Sequence, residues 1–255
     1  MGQLKTGLLS ITFRKLPRED IVRIAAEAGL ESIEWGGDIH VPHGDLDAAA
    51  EAARLTRAAG LTVRSYGSYY YLGVKEQGFT FEDALATAVR LEAPAIRVWA
   101  GKKGSDEASE EDRARVAEDA RRAAERAARE GIAVCLEYHS RTLTDTCDSA
   151  IRLLRDAAHP GLRSLWQPAL GLSHAERLED LRRISPWLEY VHTYHWIGYE
   201  RRPLSDGAEE WRAYLDVLRR LPGEKYAMLE FVRDDDPAQA AADARTLLEL
   251  VREPA

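Results

Sequence analysis

The chain has 255 residues, of which 45% are hydrophobic and 31% charged, so it can bury a sizeable core beneath a solvated surface. Its 43 acidic and 35 basic residues give a net charge of −8, which argues against a nucleic-acid partner because phosphate binding needs a basic surface. No apolar run approaches the roughly 20 residues of a membrane span, and two cysteines provide no disulfide framework. We therefore expect a cytoplasmic protein with reduced thiols and without a membrane or nucleic-acid partner.

Eight short segments rich in apolar or β-branched residues recur along the chain, and each is followed by a segment with helical periodicity. The predicted strands are 7–13, 30–35, 61–67, 95–101, 132–139, 162–168, 190–196 and 226–232. The predicted helices are 18–29, 46–60, 81–93, 109–131, 148–160, 175–184, 209–221 and 237–251. We interpret the first apolar run as a strand and not as a signal peptide, because no small-residue cleavage site follows it.

The regular alternation of strand and helix predicts a parallel sheet with its helices outside. Eight repeats in about 250 residues is the size of a closed (β/α)₈ barrel, so we predict an α/β fold with a single TIM-barrel domain over residues 1–255. The alternative is an open doubly wound sheet. A Gly-x-Gly-x-x-Gly turn after the first strand would favour that alternative, but the chain reads FRKLPRED there.

Inward-facing polar residues near the ends of the last four predicted strands are the candidate site. In a barrel, alternate strand residues point to the centre, and active sites lie at the C-terminal ends of the strands. By this alternation each of these strands directs one polar side chain inward: Glu137, Gln167, His192 and Glu230. A lone inward histidine or glutamate is usually a paired core residue, so the recurrence at matched depth is what indicates a site.

These four side chains predict a metal site. Two carboxylates facing each other across the barrel would raise each other's pKa, and a divalent cation between them removes that cost. An amide oxygen and an imidazole complete a mixed oxygen and nitrogen donor set. We expect one divalent ion, with Mn²⁺ first and Mg²⁺, Co²⁺ or Zn²⁺ as alternatives.

Several short segments, in this order and spacing, carry a resemblance to a known family. They are IEWGGDIHVP (33–42), IRVWAG (96–101), LEYH (136–139), YVHTYHW (190–196) and LEFVRDD (229–235). With them the chain resembles the sugar phosphate isomerase/epimerase family of xylose-isomerase-like barrels over most of its length. The resemblance implies a divalent metal held by residues of strands five to eight, and Glu137, His192 and Glu230 match those ligands.

The chain departs from the family pattern at strand six. The family commonly has an aspartate there with a histidine three residues later, whereas this chain has Gln167 and Leu170. An amide oxygen coordinates more weakly than a carboxylate, so the resemblance implies a lower metal affinity and leaves the substrate open. Many members also have an aspartate where this chain has His195, which we expect to line the mouth of the site or to orient a neighbour.

Five residues are candidates for substrate binding: Arg97, Trp99, His139, His195 and Arg233. An arginine could bind a substrate oxygen or phosphate, and a strand-end tryptophan could stack on a sugar ring. For Arg97 a structural ion pair with Glu34 or another barrel carboxylate is an equal alternative, and for Trp99 ordinary rim packing is the simpler one.

The resemblance implies an isomerase or epimerase of a sugar, sugar phosphate or keto-polyol. Such an enzyme abstracts a proton next to a carbonyl group and passes through an enediolate, with Glu137 and Glu230 as the acid–base pair. A lyase or dehydratase of a keto-sugar or inosose would use the same groups. An endonuclease IV-like nuclease is disfavoured by the acidic balance, whereas an inactive sugar-binding or regulatory barrel stays open because of Gln167. We expect a small sugar-like substrate, and a homo-oligomer is an open alternative.

Overall fold

The computed structural model describes residues 3–253. The strands are β1 (Gln3–Leu9), β2 (Ser32–Gly36), β3 (Thr62–Tyr71), β4 (Ala95–Trp99), β5 (Ala133–Glu137), β6 (Leu162–Trp166), β7 (Leu188–Thr193), β8 (His195–Ile197), β9 (Glu200–Arg202) and β10 (Glu224–Leu229). The helices are α1 (Arg18–Glu27), α2 (Leu46–Ala58), α3 (Phe81–Leu91), α4 (Glu110–Ala128), α5 (Cys147–Ala157), α6 (His174–Ile184), α7 (Ala208–Arg219) and α8 (Pro237–Arg252).

Eight of these strands close into a parallel barrel in the order β1-β10-β7-β6-β5-β4-β3-β2. The ring is closed at β1, where Gly7 is opposite Met228 of β10 on one side and Ser32 of β2 on the other. The predicted (β/α)₈ barrel is confirmed, and the alternative of an open doubly wound sheet is wrong. β8 and β9 lie outside the ring and pair with each other as an antiparallel hairpin.

The helices begin where the sequence provides capping residues. Thr80, Ser109 and Ser173 each cap a helix in a reciprocal capping box, which satisfies backbone N–H groups that have no partner inside the helix. Each of these helices runs on the outside of the barrel, back toward the start of the next strand. None of the helices within residues 3–253 combines the length and the apolar character needed to cross a bilayer.

The alternation of side chains divides the core into two layers. Val134 and Leu136 of β5 pack with the helices in the larger cluster, whereas Cys135 lies in the smaller cluster inside the barrel together with Tyr190 and Met228. This is the inward and outward pattern expected from the period of a strand. The polar residues that follow in the same alternation therefore face the centre at the C-terminal end of the barrel.

The observed strands differ from the predicted ones by a few residues at most ends, and two predicted strands continue into other elements. The first was expected over 7–13, but β1 ends at Leu9 and Ser10–Phe13 form a 3₁₀ turn, so the apolar run continues beyond the strand as buried loop. The seventh was expected over 190–196, but the barrel strand ends at Thr193 and the chain turns into the hairpin of β8 and β9. Hydrophobicity marks burial in both places, and it does not distinguish a strand from a buried turn.

Both thiols are predicted to be unreactive in the folded protein. Cys135 and Cys147 are 0% and 3% exposed, and burial raises the pKa of Cys147 to about 12 and also raises the pKa of Cys135. A thiol reagent such as dithionitrobenzoate at pH 8 should label neither residue until denaturant unfolds the chain, when it should label both. Rapid labelling of Cys135 in the native protein would contradict the closed barrel.

Candidate active site

The four predicted ligand residues meet at the C-terminal end of the barrel. Glu137 is the last residue of β5, Gln167 follows β6, His192 lies in β7 and Glu230 follows β10. The Nδ1 atom of His192 lies 3.2 Å from Gln167 Oε1, 3.3 Å from Glu230 Oε2 and 4.0 Å from Glu137 Oε1. One side-chain donor atom from each of four strands therefore points to the same small volume.

This donor set fits a divalent cation. One ligand atom each from Glu137, His192 and Glu230 lies within 4.8 Å of the others, and all three residues are buried. Two carboxylates, an imidazole and an amide oxygen form the mixed donor set that Mn²⁺, Mg²⁺ and Co²⁺ accept. The residues are thus suited in type and spacing to hold one ion, which is the arrangement expected from the alternation of the strands.

The amide of Gln167 is oriented by the backbone. Its Nε2 donates a 2.8 Å hydrogen bond to the carbonyl oxygen of Tyr138, so its Oε1 faces His192. An aspartate at this position would be one methylene shorter and would have no donor for that carbonyl group. The structure therefore provides a reason for an amide here, where the family pattern has a carboxylate.

Glu34 is a buried carboxylate behind His192. It is 1% exposed, its Oε2 lies 3.5 Å from His192 Nε2, and the same oxygen accepts a 2.7 Å hydrogen bond from Ser65. The carboxylate faces the far ring nitrogen without a hydrogen bond to it, and its negative charge favours a proton on Nε2, which leaves Nδ1 to face the donors of the site. From the sequence, Glu34 was a candidate only as a partner of Arg97, although its inward position in the second strand was a signal that it could face His192.

Arg97 lies between the two carboxylates and is 2% exposed. Its Nε donates a 2.7 Å hydrogen bond to Glu34, and its Nη1 contacts Glu137 Oε2. The same oxygen of Glu137 also accepts a hydrogen bond from the indole nitrogen of Trp99. The contacts favour the structural ion pair over a substrate contact for Arg97, because its guanidinium is held behind the ligands.

The charges of this cluster shift the pKa values of its members. Burial by itself would raise the pKa of Glu34 and of Glu137, but Arg97 and then His192 outweigh it, so both values lie below the ordinary one. Burial would lower the pKa of His192, but Glu230 and Glu34 raise it to about 10. The buried carboxylates thus attract positive charge to His192, and a bound cation would take the position of its Nδ1 proton.

A cavity of about 400 Å³ opens above these residues. Glu137, Gln167 and Glu230 lie in its wall, and so does the predicted His139, whose ring lies 4.9 Å from that of Trp99. The volume is within the range of small-molecule sites, which is roughly 300–1,000 Å³. The wall also contains residues that the sequence analysis did not select as site residues: Asp145, Leu170, Trp196, Tyr199 and Phe231.

Strand alternation counted from inward-facing Glu230 would turn Phe231 toward the helices, but its side chain lies in the cavity wall. β10 ends at Leu229, and Phe231 has a left-handed backbone with φ of +50°, held by a hydrogen bond from its N–H group to Thr12 Oγ1. Strand alternation no longer applies beyond the last strand residue. The turn directs the ring into the cavity wall, and such conformations are often found at functional sites.

The cavity lining does not include four of the five residues predicted to bind substrate: Arg97, Trp99, His195 and Arg233. The ring of His195 lies against Gly207, because the barrel strand β7 ends at Thr193 and His195 begins the separate hairpin. Arg233 lies in the 3₁₀ turn Arg233–Asp235, is half exposed and approaches Asp234 at 3.6 Å. Trp99 contacts the site through its hydrogen bond to Glu137 rather than through the cavity.

Comparisons with known proteins agree with this architecture. The chain is 27% identical over 206 residues to a 3-dehydroshikimate dehydratase from Bacillus anthracis, an alignment that covers 74% of this chain and 71% of that protein. It is similar in structure to a probable 3-DHS dehydratase from Bacillus anthracis, with a TM-score of 0.79, 22% identity and coverage of 97% of this chain and 99% of the other.

Epimerases are also structurally similar. A D-allulose 3-epimerase from Methylomonas sp. matches with a TM-score of 0.73 and 16% identity over 98% of this chain and 99% of the other. A 3-keto-D-glucoside 4-epimerase from E. coli matches with a TM-score of 0.74 and 19% identity over 97% and 99%. At such identities the likeness shows the fold alone. The family model described as a xylose isomerase-like TIM barrel matches residues 22–252, and the chain therefore belongs to that family.

Proposed function

We propose that this chain is a divalent-metal-dependent isomerase or epimerase that removes a proton from the carbon next to the carbonyl group of a small sugar-derived ketone. The observation that carries the proposal is the convergence of Glu137, Gln167, His192 and Glu230 on one point at the floor of the cavity. An ion held there would act as a Lewis acid toward the oxygen atoms of the substrate.

The two carboxylates of the site have different surroundings. Glu137 is held through its Oε2 by Arg97 and Trp99, whereas within residues 3–253 the only cationic side chain within 4 Å of the Glu230 carboxylate is His192. Both line the cavity. We assign the removal and return of the carbon-bound proton to this pair, with Glu230 as the less restrained of the two.

In this reaction the proton leaves the carbon next to the carbonyl and is accepted by a glutamate oxygen. The electron pair of the broken C–H bond moves into the enediolate. Return of the proton to the former carbonyl carbon, with transfer of the hydroxyl proton between the two oxygen atoms, gives an isomer, and return to the opposite face of the same carbon gives an epimer.

A dehydratase is the second candidate, and the sequence similarity to a 3-dehydroshikimate dehydratase favours it. The same glutamate would accept the carbon-bound proton, and the electron pair would form a carbon–carbon double bond while a β-hydroxyl group leaves with a proton as water. The two candidates differ only in whether a leaving group lies beside the abstracted proton. Product analysis with a ketose and with a β-hydroxy ketone distinguishes them.

Metal binding is predicted to depend on His192 and not on His195. Replacement His192→Ala removes the donor at the centre of the site and should abolish Mn²⁺ binding, measured by calorimetry on protein stripped with a chelator. His195→Ala is the matched control, since its ring lies outside the cavity, and this variant should bind Mn²⁺ as the wild type does. Equal binding by both variants, or loss only in the second, would show that His192 is not a ligand.

The substitution Gln167→Asp is predicted to raise Mn²⁺ affinity by about tenfold or more. It adds a negative charge next to the ion in a partly buried site, where electrostatic interactions exceed those in water. The shorter side chain and the loss of the hydrogen bond to Tyr138 oppose this gain. Calorimetric titration with Mn²⁺ measures the difference.

Ser140→Asp is the control for the amide position, because it adds the same charge to the cavity wall away from the four donors. A smaller gain in Mn²⁺ affinity for Ser140→Asp than for Gln167→Asp would support coordination of the ion by the side chain at position 167. Equal gains would indicate a long-range effect of charge, and weaker binding by Gln167→Asp would mean that the length of the amide is required.

Proton abstraction is predicted to require the carboxylate pair. Glu137→Gln and Glu230→Gln each keep a coordinating oxygen but remove a base, so both should retain metal and lower kcat, by on the order of 10²–10⁴ for a lost acid–base group. At least one should stop the exchange of the carbon-bound hydrogen of the ketone with D₂O, followed by NMR. Exposed Glu76→Gln is the control. Exchange at the wild-type rate in both variants would rule out this assignment.

A further inference from the structure

The wall of the cavity has an unusual balance of charge. Its lining residues include the carboxylates Glu137, Asp145 and Glu230, and within the described part of the chain they include neither lysine nor arginine. A site for a phosphate or carboxylate group normally offers an arginine fork, a lysine or a helix N-terminus to the anion. The wall of this cavity is negatively charged, so it would repel the phosphate or carboxylate group of such a substrate.

The basic side chains near the cavity are engaged elsewhere. Arg97 is held by Glu34 and Glu137 behind the ligands. Arg201 approaches Asp235 Oδ1 at 2.5 Å and lies over the ring of Phe231, 4.8 Å from its centre. Arg177 donates to the carbonyl oxygen of Ala169 and approaches a carboxylate of α7. None of the three arginines lines the cavity, and each already has a carboxylate or carbonyl partner that would compete with a ligand anion.

Asp145 is the carboxylate that remains uncompensated. A divalent ion would offset Glu137 and Glu230, and the other two donors, Gln167 and neutral His192, add no charge. Asp145 Oδ2 accepts a 2.9 Å hydrogen bond from the N–H group of Ser105, and its Oδ1 has no hydrogen-bond partner within residues 3–253. No lysine or arginine of the described chain lies within 4 Å of it. The filled site therefore keeps an excess of negative charge at this wall.

Apart from the imidazole of His139, the rest of the wall is apolar or uncharged. Leu170, Trp196, Tyr199 and Phe231 provide an apolar face, and Ser140 provides a neutral hydroxyl group. Aromatic faces pack well against the C–H groups of a ring, while hydroxyl groups can bind to neutral polar partners. Such a wall suits a cyclic molecule that has hydroxyl groups and no charge.

We infer that the cavity selects an electrically neutral, unphosphorylated cyclic keto-polyol, and that Asp145 excludes anionic ketones. The inference rests on the proposed function and names its substrate class. It also separates this chain from the dehydratase to which it is similar, because 3-dehydroshikimate carries a carboxylate group. Like charges brought together in a partly buried site are strongly disfavoured, so one unpaired carboxylate is enough to discriminate.

The test compares matched neutral and anionic ligands on the Mn²⁺-loaded protein. One pair is D-fructose and D-fructose 6-phosphate, and the other is a keto-inositol and 3-dehydroshikimate. Calorimetry should give a dissociation constant at least about tenfold lower for each neutral ligand than for its anionic partner. The substitution Asp145→Asn should lower the ratio of the anionic to the neutral dissociation constant by about three- to tenfold, mainly because the anionic ligands bind more tightly.

Asp148→Asn is the control for this variant. Asp148 is an exposed aspartate three residues away that pairs with Arg183 outside the cavity, so its replacement should leave the ratio unchanged. Tighter binding of either anionic ligand to the wild type would overturn the inference, and so would a failure of both neutral ligands to bind. If Asp145→Asn and the wild type have the same ratio of dissociation constants, Asp145 does not cause the discrimination against anionic ligands.

Hydrogen exchange in D₂O separates this inference from the proposed function. If an anionic ketone binds more tightly and exchanges its carbon-bound hydrogen, the chemistry stands and the substrate class is wrong. If neutral keto-polyols bind selectively but none exchanges, the substrate class stands and the assignment as an enzyme is wrong.

Discussion

The buried guanidinium of Arg97 holds the candidate site together. It contacts Glu34 on one side and Glu137 on the other, and Glu34 in turn faces the Nε2 atom of His192. Removing one partner from such a buried ion pair typically costs about 3–5 kcal/mol, because the remaining charge has no compensation. The positions of a carboxylate ligand and of the imidazole thus depend on a residue that lies outside the cavity.

The closed barrel makes this cluster possible. Residues from β2, β4, β5, β7 and the end of β10 meet within hydrogen-bonding distance only because the ring brings distant parts of the chain together at one end. The lumen below is filled by Cys135, Tyr190 and Met228, so the charged groups rest on a packed layer and open only toward the cavity. The four candidate ligands lie at or near the ends of the strands, whereas the turn at Phe231 and the hairpin with Trp196 and Tyr199 form part of the cavity wall.

The division between strands and loops also explains why family membership does not determine the substrate. Structures similar to this one include epimerases and a probable dehydratase on the same barrel. Proton abstraction beside a carbonyl is common to these reactions, and it needs the groups at the strand ends. Leu170 and Asp145 lie in the cavity wall on the loops that follow β6 and β5, where a change of side chain leaves the barrel itself unchanged.

The sequence by itself determined the barrel and the inward direction of Glu137, Gln167, His192 and Glu230, because strand alternation and strand–helix repetition are local properties. A pair of Arg97 with Glu34 was one of the alternatives from the sequence, but the approach of Glu34 to His192 was not, since this contact joins β2 to β7. Only the tertiary structure decided that Phe231 faces the cavity and that His195 and Arg233 do not, because each lies beyond the end of a barrel strand. Past that point the direction of a side chain depends on turn geometry and on long-range contacts, such as that between Phe231 and Thr12, which no local period encodes.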